Sequence, residues 1–375
     1  MALFKPIDVG STHLLNRVVM APLTRLRADP GGVPSKIQVD YYVQRSHTPG
    51  TLIISEATYT SPGAGGLETF FGGHIPGIWN EAQTKGWKDV IDAAHAKKCK
   101  FYIQLWDIGR AASYPVLEKE GLPFVAPSAI TQKKDEELYG DKIRALTEAE
   151  IKQKVQDYVK AAENAIKAGA DGVEIHSAHG YLPDQFIHWN SNLRTDQYGG
   201  SIENRCRFIL EIVDAVSKAI GADKVAIRLS PWADVKDMAV DPVKTLETFE
   251  YIFRELQKRA DEGEKLAFVH LVEPRVNGIN TREEHERKEW QRNETFREIW
   301  KGPLVRAGGF TRETALEVCE EDPLTLVAFG RYFISTPDLV ERLEKDVKFN
   351  PYNRDTFYTT GVEGFLDYPF ADVKA

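Results

Sequence analysis

A chain of 375 residues and 42.3 kDa is about 2.5 times the usual ~150-residue domain, which asks for two ordinary domains or one large single-core fold. With 42% hydrophobic and 28% charged residues, the composition is that of a folded globular protein and excludes a disordered one. The balance of 48 Lys+Arg against 56 Asp+Glu, a net charge of −8, repels phosphate backbones, and no locally basic run offsets it, so no nucleic-acid partner is expected.

The amino terminus, Met1 to Asn16, carries Lys5, Pro6 and Asp8 where a secretory leader must be apolar, and no stretch reaches the ~20 apolar residues of a membrane span. A cytoplasmic protein without membrane contact is expected. Eight short runs rich in Val, Ile and Leu then follow, bounded by turn residues: Arg17 to Ala21, Thr51 to Glu56, Lys100 to Trp106, Gly172 to His176, Val225 to Leu229, Ala267 to Val272, Pro303 to Ala307 and Thr325 to Phe329. They are continuously apolar, as strands buried on both faces of a parallel sheet are.

Helical periodicity fills the gaps. Glu148 to Ala168 is the clearest segment, with Val155, Tyr158, Val159, Ala162 and Ile166 on one face, a Thr147/Glu150 capping box before it and Gly169 closing it. Others run from Lys36 to Ser46, Asn80 to Lys98, Ile202 to Ile220, Pro242 to Glu262, Arg292 to Trp300, Arg312 to Glu321 and Pro337 to Asp346. Eight strands alternating with helices predict an α/β fold, a TIM (β/α)8 barrel forming one domain over 1–375. The excess length falls in insertions at about 107–146 and 273–290, both candidate active-site loops. Cys99, Cys206 and Cys319 stand far apart, so they are expected to be small buried hydrophobes and not metal ligands or a disulfide framework.

Barrel chemistry sits at the carboxyl ends of strands, and there the sequence turns polar or glycine-rich. Thr24, Glu56, Gln104, Trp106, His176 to Tyr181, Arg228, Glu273, Arg275, Gly308-Gly309 and Gly330-Arg331 are expected to converge on one mouth. Gly308-Gly309 after strand 7 and Gly330 after strand 8, with Arg331, offer Cβ-free backbone and a cation to a phosphate. No G-x-G-x-x-G follows a strand and no P-loop is present, which points to a phosphate held by barrel loops. His176 and His179 are candidates for paired donors to a substrate oxygen, a structural pair, or metal ligands lacking a third partner; Tyr181 follows as a phenol able to give a proton. Arg228 within a strand needs an anion, either the ring edge of a reduced flavin or a salt bridge to Glu56 or Glu174. Gln104 is suited to the donor and acceptor edges of a heterocycle. The charge run Arg282 to Arg287 reads as a solvated face.

These residues resemble the Old Yellow Enzyme group of flavin-dependent ene-reductases, which includes the oxophytodienoate reductases. The resemblance spans nearly the whole chain. It is carried by Ala21-Pro-Leu-Thr-Arg25, Pro76-Gly-Ile-Trp79, Gln104-Leu-Trp106, Val173-Glu-Ile-His-Ser-Ala-His-Gly-Tyr181 and Asn192-Leu-Arg-Thr-Asp-Gln-Tyr-Gly-Gly-Ser-Ile-Glu-Asn-Arg205. Arg228-Leu-Ser-Pro231, Val269-His-Leu-Val-Glu-Pro-Arg275, Arg306-Ala-Gly-Gly309 and Phe329-Gly-Arg-Tyr-Phe-Ile-Ser335 complete it. It implies a barrel holding FMN noncovalently, NADPH or NADH as reductant, and an α,β-unsaturated aldehyde or ketone as substrate. By the same resemblance Thr24 bonds flavin O4, Gln104 the pyrimidine edge and Arg228 the N1/O2 side. Pro22 and Ala57 lie beside the ring, and Gly308, Gly309, Gly330 and Arg331 bind the phosphate. His176 and His179 take the substrate carbonyl, Tyr181 donates the proton after hydride leaves flavin N5, and Tyr358 lines the pocket.

Some positions depart from the family pattern. His179 stands where many members have Asn, Gly309 replaces a frequent Asn and Ala57 a frequent Gly, and Leu67 falls near a position where some members place a tyrosine, in a stretch, Leu67 to Gly73, that is hard to register. The loops after strands 3, 5 and 6, including Trp232 and Val235, are expected to line the substrate side. The competing functions are an FMN-dependent isomerase or dehydrogenase without net NAD(P)H turnover, which Tyr181 argues against, and a non-catalytic ligand-binding barrel. A monomer or homodimer fits either.

Overall fold

All eight apolar runs form strands in the computed structural model, which describes residues 1–67, 72–286 and 288–371. They are β1 (Val18–Met20), β2 (Leu52–Ile54), β3 (Lys100–Trp106), β4 (Gly172–Ser177), β5 (Val225–Leu229), β6 (Phe268–Val272), β7 (Leu304–Ala307) and β8 (Thr325–Phe329). Every neighbouring pair is parallel, β8 pairs with β1, and β2 pairs with β3, so the sheet closes into an eight-stranded barrel. The expected helices surround it: α1 (Lys36–Arg45), α2 (Glu81–Ala96), α3 (Glu148–Lys167), α4 (Ile202–Ile220), α5 (Pro242–Asp261), α6 (Glu294–Ile299), α7 (Arg312–Glu321) and α8 (Leu339–Lys345). The Thr147/Glu150 box caps α3 as its spacing predicts, and Asp241 caps α5 with Pro242 in the first turn.

Strand periodicity divides the side chains into two sets. On β3, Phe101, Ile103 and Leu105 pack outward with Trp87 of α2 and Tyr158 of α3. Tyr102 faces inward, where it meets Ala226, Phe268, Val305 and Leu326 in the lower barrel. That lower core is sealed by an antiparallel hairpin, Ile7–Val9 with Thr12–Leu14, whose Ile7, Val9 and Leu14 join the interior cluster. The sequence reading assigned this segment no structure. Its turn depends on Gly10 at φ 55°, where a Cβ would lie 1.8 Å from the Asp223 carbonyl oxygen.

Two boundaries differ informatively from the expected runs. β2 ends at Ile54 and not at Glu56, because the Glu56 N–H leaves the ladder to donate to Tyr42 Oη at 2.8 Å. The 107–146 insertion contains its own helix, Tyr114–Glu120, and a two-residue parallel pairing of Val125–Ala126 with Arg144–Ala145. The insertion after β6 folds into a hairpin of Val276–Asn277 and Asn280–Thr281. Cys99, Cys206 and Cys319 are buried and free. Among the described residues no helix is long and apolar enough to cross a membrane.

Candidate active site

With the lower barrel filled by apolar side chains, the space left at the carboxyl ends of the strands is a cavity of about 670 Å³, within the range of ligand and cofactor sites. Its wall includes every residue expected to bind cofactor or substrate or to carry the chemistry: Pro22, Thr24, Ala57, Gln104, His176, His179, Tyr181, Arg228, Gly308, Gly309, Gly330, Arg331 and Tyr358. Parallel register explains the central part. Arg228 of β5 pairs with His176 of β4 on one side and His270 of β6 on the other, and Gln104 of β3 pairs with Glu174. All five therefore occupy neighbouring positions on one side of the sheet.

Beneath the cavity lies a polar layer in which Glu174 is wholly buried. One carboxylate oxygen accepts from Gln104 Nε2 at 2.7 Å, and the other is paired with His270 Nδ1 at 2.7 Å. Glu174, expected only as a salt-bridge partner of Arg228, instead anchors Gln104 and His270, and His270 is an unexpected member of the layer; its strand register with Arg228 was the available signal. Glu174 also favours the charged form of Arg228, although burial dominates and lowers the guanidinium pKa. Arg228 Nε is buried without a hydrogen-bond partner. Neither salt bridge expected for Arg228 forms among the described residues.

Above this layer four rings meet. His176 lies edge-on to Tyr181 at 4.9 Å and to His179 at 6.0 Å, and Trp106 meets Tyr181 edge-on at 4.7 Å. Burial first, then the Arg228 charge, holds both imidazoles well below their ordinary pKa. They are neutral at pH 7, each with one N–H donor. His176 Nδ1 and His179 Nε2 have no partner. Burial pushes the Tyr181 phenol up to about 12, so it stays protonated. His179 has φ 58°, a left-handed conformation that His and Asn tolerate better than most residues. Its amide donates to Ser230 Oγ at 2.8 Å.

Several expectations are corrected by the side-chain directions. Glu56 turns away from the mouth, accepting from Gln38 Nε2 at 2.6 Å and from the Arg25 amide at 3.2 Å. Glu273 is paired with Arg306 at 2.7 Å, and neither Glu273 nor Arg275 borders the cavity. Trp232 does not face the substrate side: it is buried against Phe296 and donates to Asn293 Oδ1 at 2.8 Å. Val235 does line the wall, and so does the hairpin after β6, whereas no residue of 107–146 does. Arg282 is not a solvated member of a charged face, because its guanidinium donates to the carbonyls of Pro274 and Trp232, each at 2.9 Å. Arg287 lies outside the described residues, as does part of the Leu67 to Gly73 stretch. The sequence reading also passed over Lys236, whose Nζ lies 4.2 Å from the centre of the Tyr181 ring.

The cavity suits a planar ring system with an anionic tail. The Arg228 guanidinium, its buried Nε without a partner, and an anchored amide line one part, and Gly308 and Gly309, at φ 132° and 65°, keep the backbone free of side chains at another. Arg331, which donates to Thr281 Oγ1 at 2.7 Å, stands near Gly330. A barrel oxidoreductase that carries FMN is the class this fold and site define. The family model described as NADH:flavin oxidoreductase / NADH oxidase matches residues 2–350, and the chain belongs to that family. It is 44% identical to enoate reductase 1 of Kluyveromyces lactis, over 98% of this chain and 93% of that protein. It is also 44% identical to a probable NADPH dehydrogenase of Candida albicans, over 98% and 90%. Among solved structures, the Old Yellow Enzyme of Pichia sp. AKU4542 superimposes with a TM-score of 0.90 at 40% identity, covering 100% of this chain and 95% of that one. The protein is an FMN-dependent oxidoreductase of the Old Yellow Enzyme type, with a nicotinamide nucleotide as its reductant.

Proposed function

We propose that the enzyme reduces the activated C=C bond of α,β-unsaturated aldehydes and ketones at the expense of NAD(P)H. The observation that carries this reading is the grouping of two neutral imidazoles and a protonated phenol, with His176 4.9 Å from Tyr181, beside an arginine whose buried Nε has no partner. FMN bound in this cavity would supply the two-electron chemistry that links NAD(P)H to the alkene. With one proton added, NAD(P)H and the unsaturated carbonyl become NAD(P)+ and the saturated carbonyl.

The protein residues divide the remaining work. Gly308, Gly309, Gly330 and Arg331 would hold the FMN phosphate, and Pro22, Thr24, Ala57, Gln104 and Arg228 would border its ring, where the Arg228 guanidinium would favour negative charge. His176 and His179 donate hydrogen bonds to the substrate carbonyl oxygen. Because both are neutral and have ring nitrogens free of protein partners, they can favour the enolate-like charge that develops on that oxygen during reduction. Tyr181 then gives its phenolic proton to the α-carbon. Tyr358 lines the same cavity and would contact the substrate. The names of the relatives, an enoate reductase and an NADPH dehydrogenase, support this assignment.

The test is the visible spectrum of the purified holoprotein. Anaerobic NADPH is expected to bleach the flavin absorbance, and cyclohex-2-enone to restore it with formation of cyclohexanone. Bleaching without recovery by any enone would reject the reaction proposed.

A further inference from the structure

Lys236 occupies the cavity wall on a backbone that is costly to form. Lys236 and Asp237 both take left-handed φ values, 58° and 61°, at about 1–3 kcal/mol for each residue that carries a Cβ. Such a conformation persists where the surroundings determine it. Arg110 Nη2 donates to the Lys236 carbonyl at 3.0 Å, Asn190 Nδ2 to the Asp237 carbonyl at 2.6 Å, and the Lys133 amide to Asp237 Oδ2 at 2.8 Å. The 107–146 insertion, which contributes nothing to the cavity wall, thus braces the loop that does. Gly180 admits it, since a Cβ there would stand 2.9 Å from the Lys236 Cβ.

This bracing sets an ammonium group beside the proposed proton donor. Lys236 Nζ lies 4.2 Å from the Tyr181 ring centre and donates to the His179 carbonyl at 3.0 Å. One of its three protons has an acceptor, and among the described residues no carboxylate stands within ion-pair distance. Asp184, which favours the charged form, accepts from the Gly180 amide at 2.7 Å through one oxygen and faces His188 Nε2 at 3.3 Å without a hydrogen bond through the other, while Lys134 opposes that form. The neighbouring imidazoles of His176 and His179 are neutral and supply no counter-charge. Burial lowers the Lys236 pKa to about 8, the direction expected of an ammonium that lacks a counter-ion. A half-buried ammonium on a cavity wall, with one acceptor for its three protons, is a ready partner for an anion that enters the cavity.

We infer that Lys236 recognises a carboxylate on the substrate, so that the preferred substrates are unsaturated oxo acids. In these an alkene conjugated to an aldehyde or ketone carries a carboxylate within a few bonds of the acceptor carbonyl. The close approach of Nζ to the His179 main chain requires that short spacing. The inference rests on the reaction proposed above and adds the charge of the substrate to it.

The experiment compares (E)-4-oxopent-2-enoate with its methyl ester in the FMN-loaded wild type, Lys236→Met, Lys236→Gln and Lys236→Arg. Lys236→Met and Lys236→Gln are expected to lower the acid-over-ester ratio of kcat/KM at least tenfold, and Lys236→Arg to keep it within threefold of wild type. Any general effect on Tyr181 cancels in the ratio. Dissociation constants of the saturated analogues, 4-oxopentanoate and its methyl ester, read from perturbation of the flavin spectrum, are expected to show the same loss of acid preference. An unchanged ratio in Lys236→Met and Lys236→Gln overturns the inference. So does a fall in the NADPH-over-NADH ratio at constant acid-over-ester ratio, which would assign the ammonium to the phosphate of the reductant. If wild type reduces neither compound, the proposed reaction fails, and the binding ratio of the saturated analogues still decides the role of Lys236.

Discussion

Glu174 accepts a hydrogen bond from Gln104 Nε2 at 2.7 Å in the barrel interior, and both side chains are inaccessible to water. Because one amide proton is committed downward, the orientation of the Gln104 amide toward the cavity is set by Glu174. The second carboxylate oxygen performs the same service for His270.

Glu174→Ala therefore leaves two buried donors without an acceptor, each worth about 1–3 kcal/mol. A loss of stability of about 3 kcal/mol is expected in urea unfolding of the holoprotein, together with weaker FMN retention on dialysis. A loss below about 1 kcal/mol would show that water or a neighbouring group replaces the carboxylate.

Tyr181→Phe separates the two halves of the reaction. The rate of flavin bleaching by NADPH should stay within a few-fold of wild type, since the phenol has no part in that step. Reoxidation by cyclohex-2-enone should slow by about 10²–10⁴, the usual worth of a positioned acid. Equal slowing of both steps in stopped-flow traces would remove Tyr181 from the role of proton donor.

At His179 the backbone adds a second requirement to the chemistry. His179→Asn keeps a donor and a residue that accepts φ 58°, so kcat should remain within about tenfold. His179→Ala removes the donor, at about 10²–10³ in kcat. Steady-state kinetics that rank Ala equal to Asn would argue against a hydrogen bond to the substrate oxygen.

Gly308 has φ 132°, and a Cβ there would come within 2.8 Å of Val276 Cγ2. Gly308→Val is expected to lower FMN affinity at least tenfold while the barrel remains folded, measured as flavin content against far-UV circular dichroism. Full flavin content would place the phosphate elsewhere.

Burial raises the Glu56 carboxyl from 4.5 to about 7. Between those values the folded state holds a proton that the unfolded chain has released. The contribution of Glu56 is thus fully present below pH 4.5 and is lost as pH rises through 7. The full loss is on the order of 3 kcal/mol. Glu56→Gln should flatten the fall in stability between pH 4.5 and 7 in denaturant titrations, and an identical slope in the variant would count against the shift.

The barrel was legible because a strand buried on both faces must be apolar throughout, and eight such runs separated by amphipathic helices leave few alternatives to closure. The site was legible for a related reason: all strands are parallel, so Gln104, His176, Arg228, Gly308 and Gly330, each near a carboxyl end, arrive at one mouth whatever the loops do. Glu56 and Glu273 obeyed the same rule in sequence and failed it in space. At a strand end a change of one residue in direction sends a carboxylate to Gln38 or Arg306 and away from the cavity.

The sequence by itself determined the parallel barrel, the face that carries the chemistry and the residue types present there, since each follows from local pattern and strand polarity. Tertiary structure alone decided which side chains turn inward, how the Ile7–Leu14 hairpin seals the barrel floor, and that Trp232 packs away from the mouth. It also decided the place of Lys236, because that lysine reaches Tyr181 only on a strained loop held by Arg110, 126 residues distant. No local pattern encodes a contact between segments that far apart; it exists only once the barrel has brought their loops to the same end.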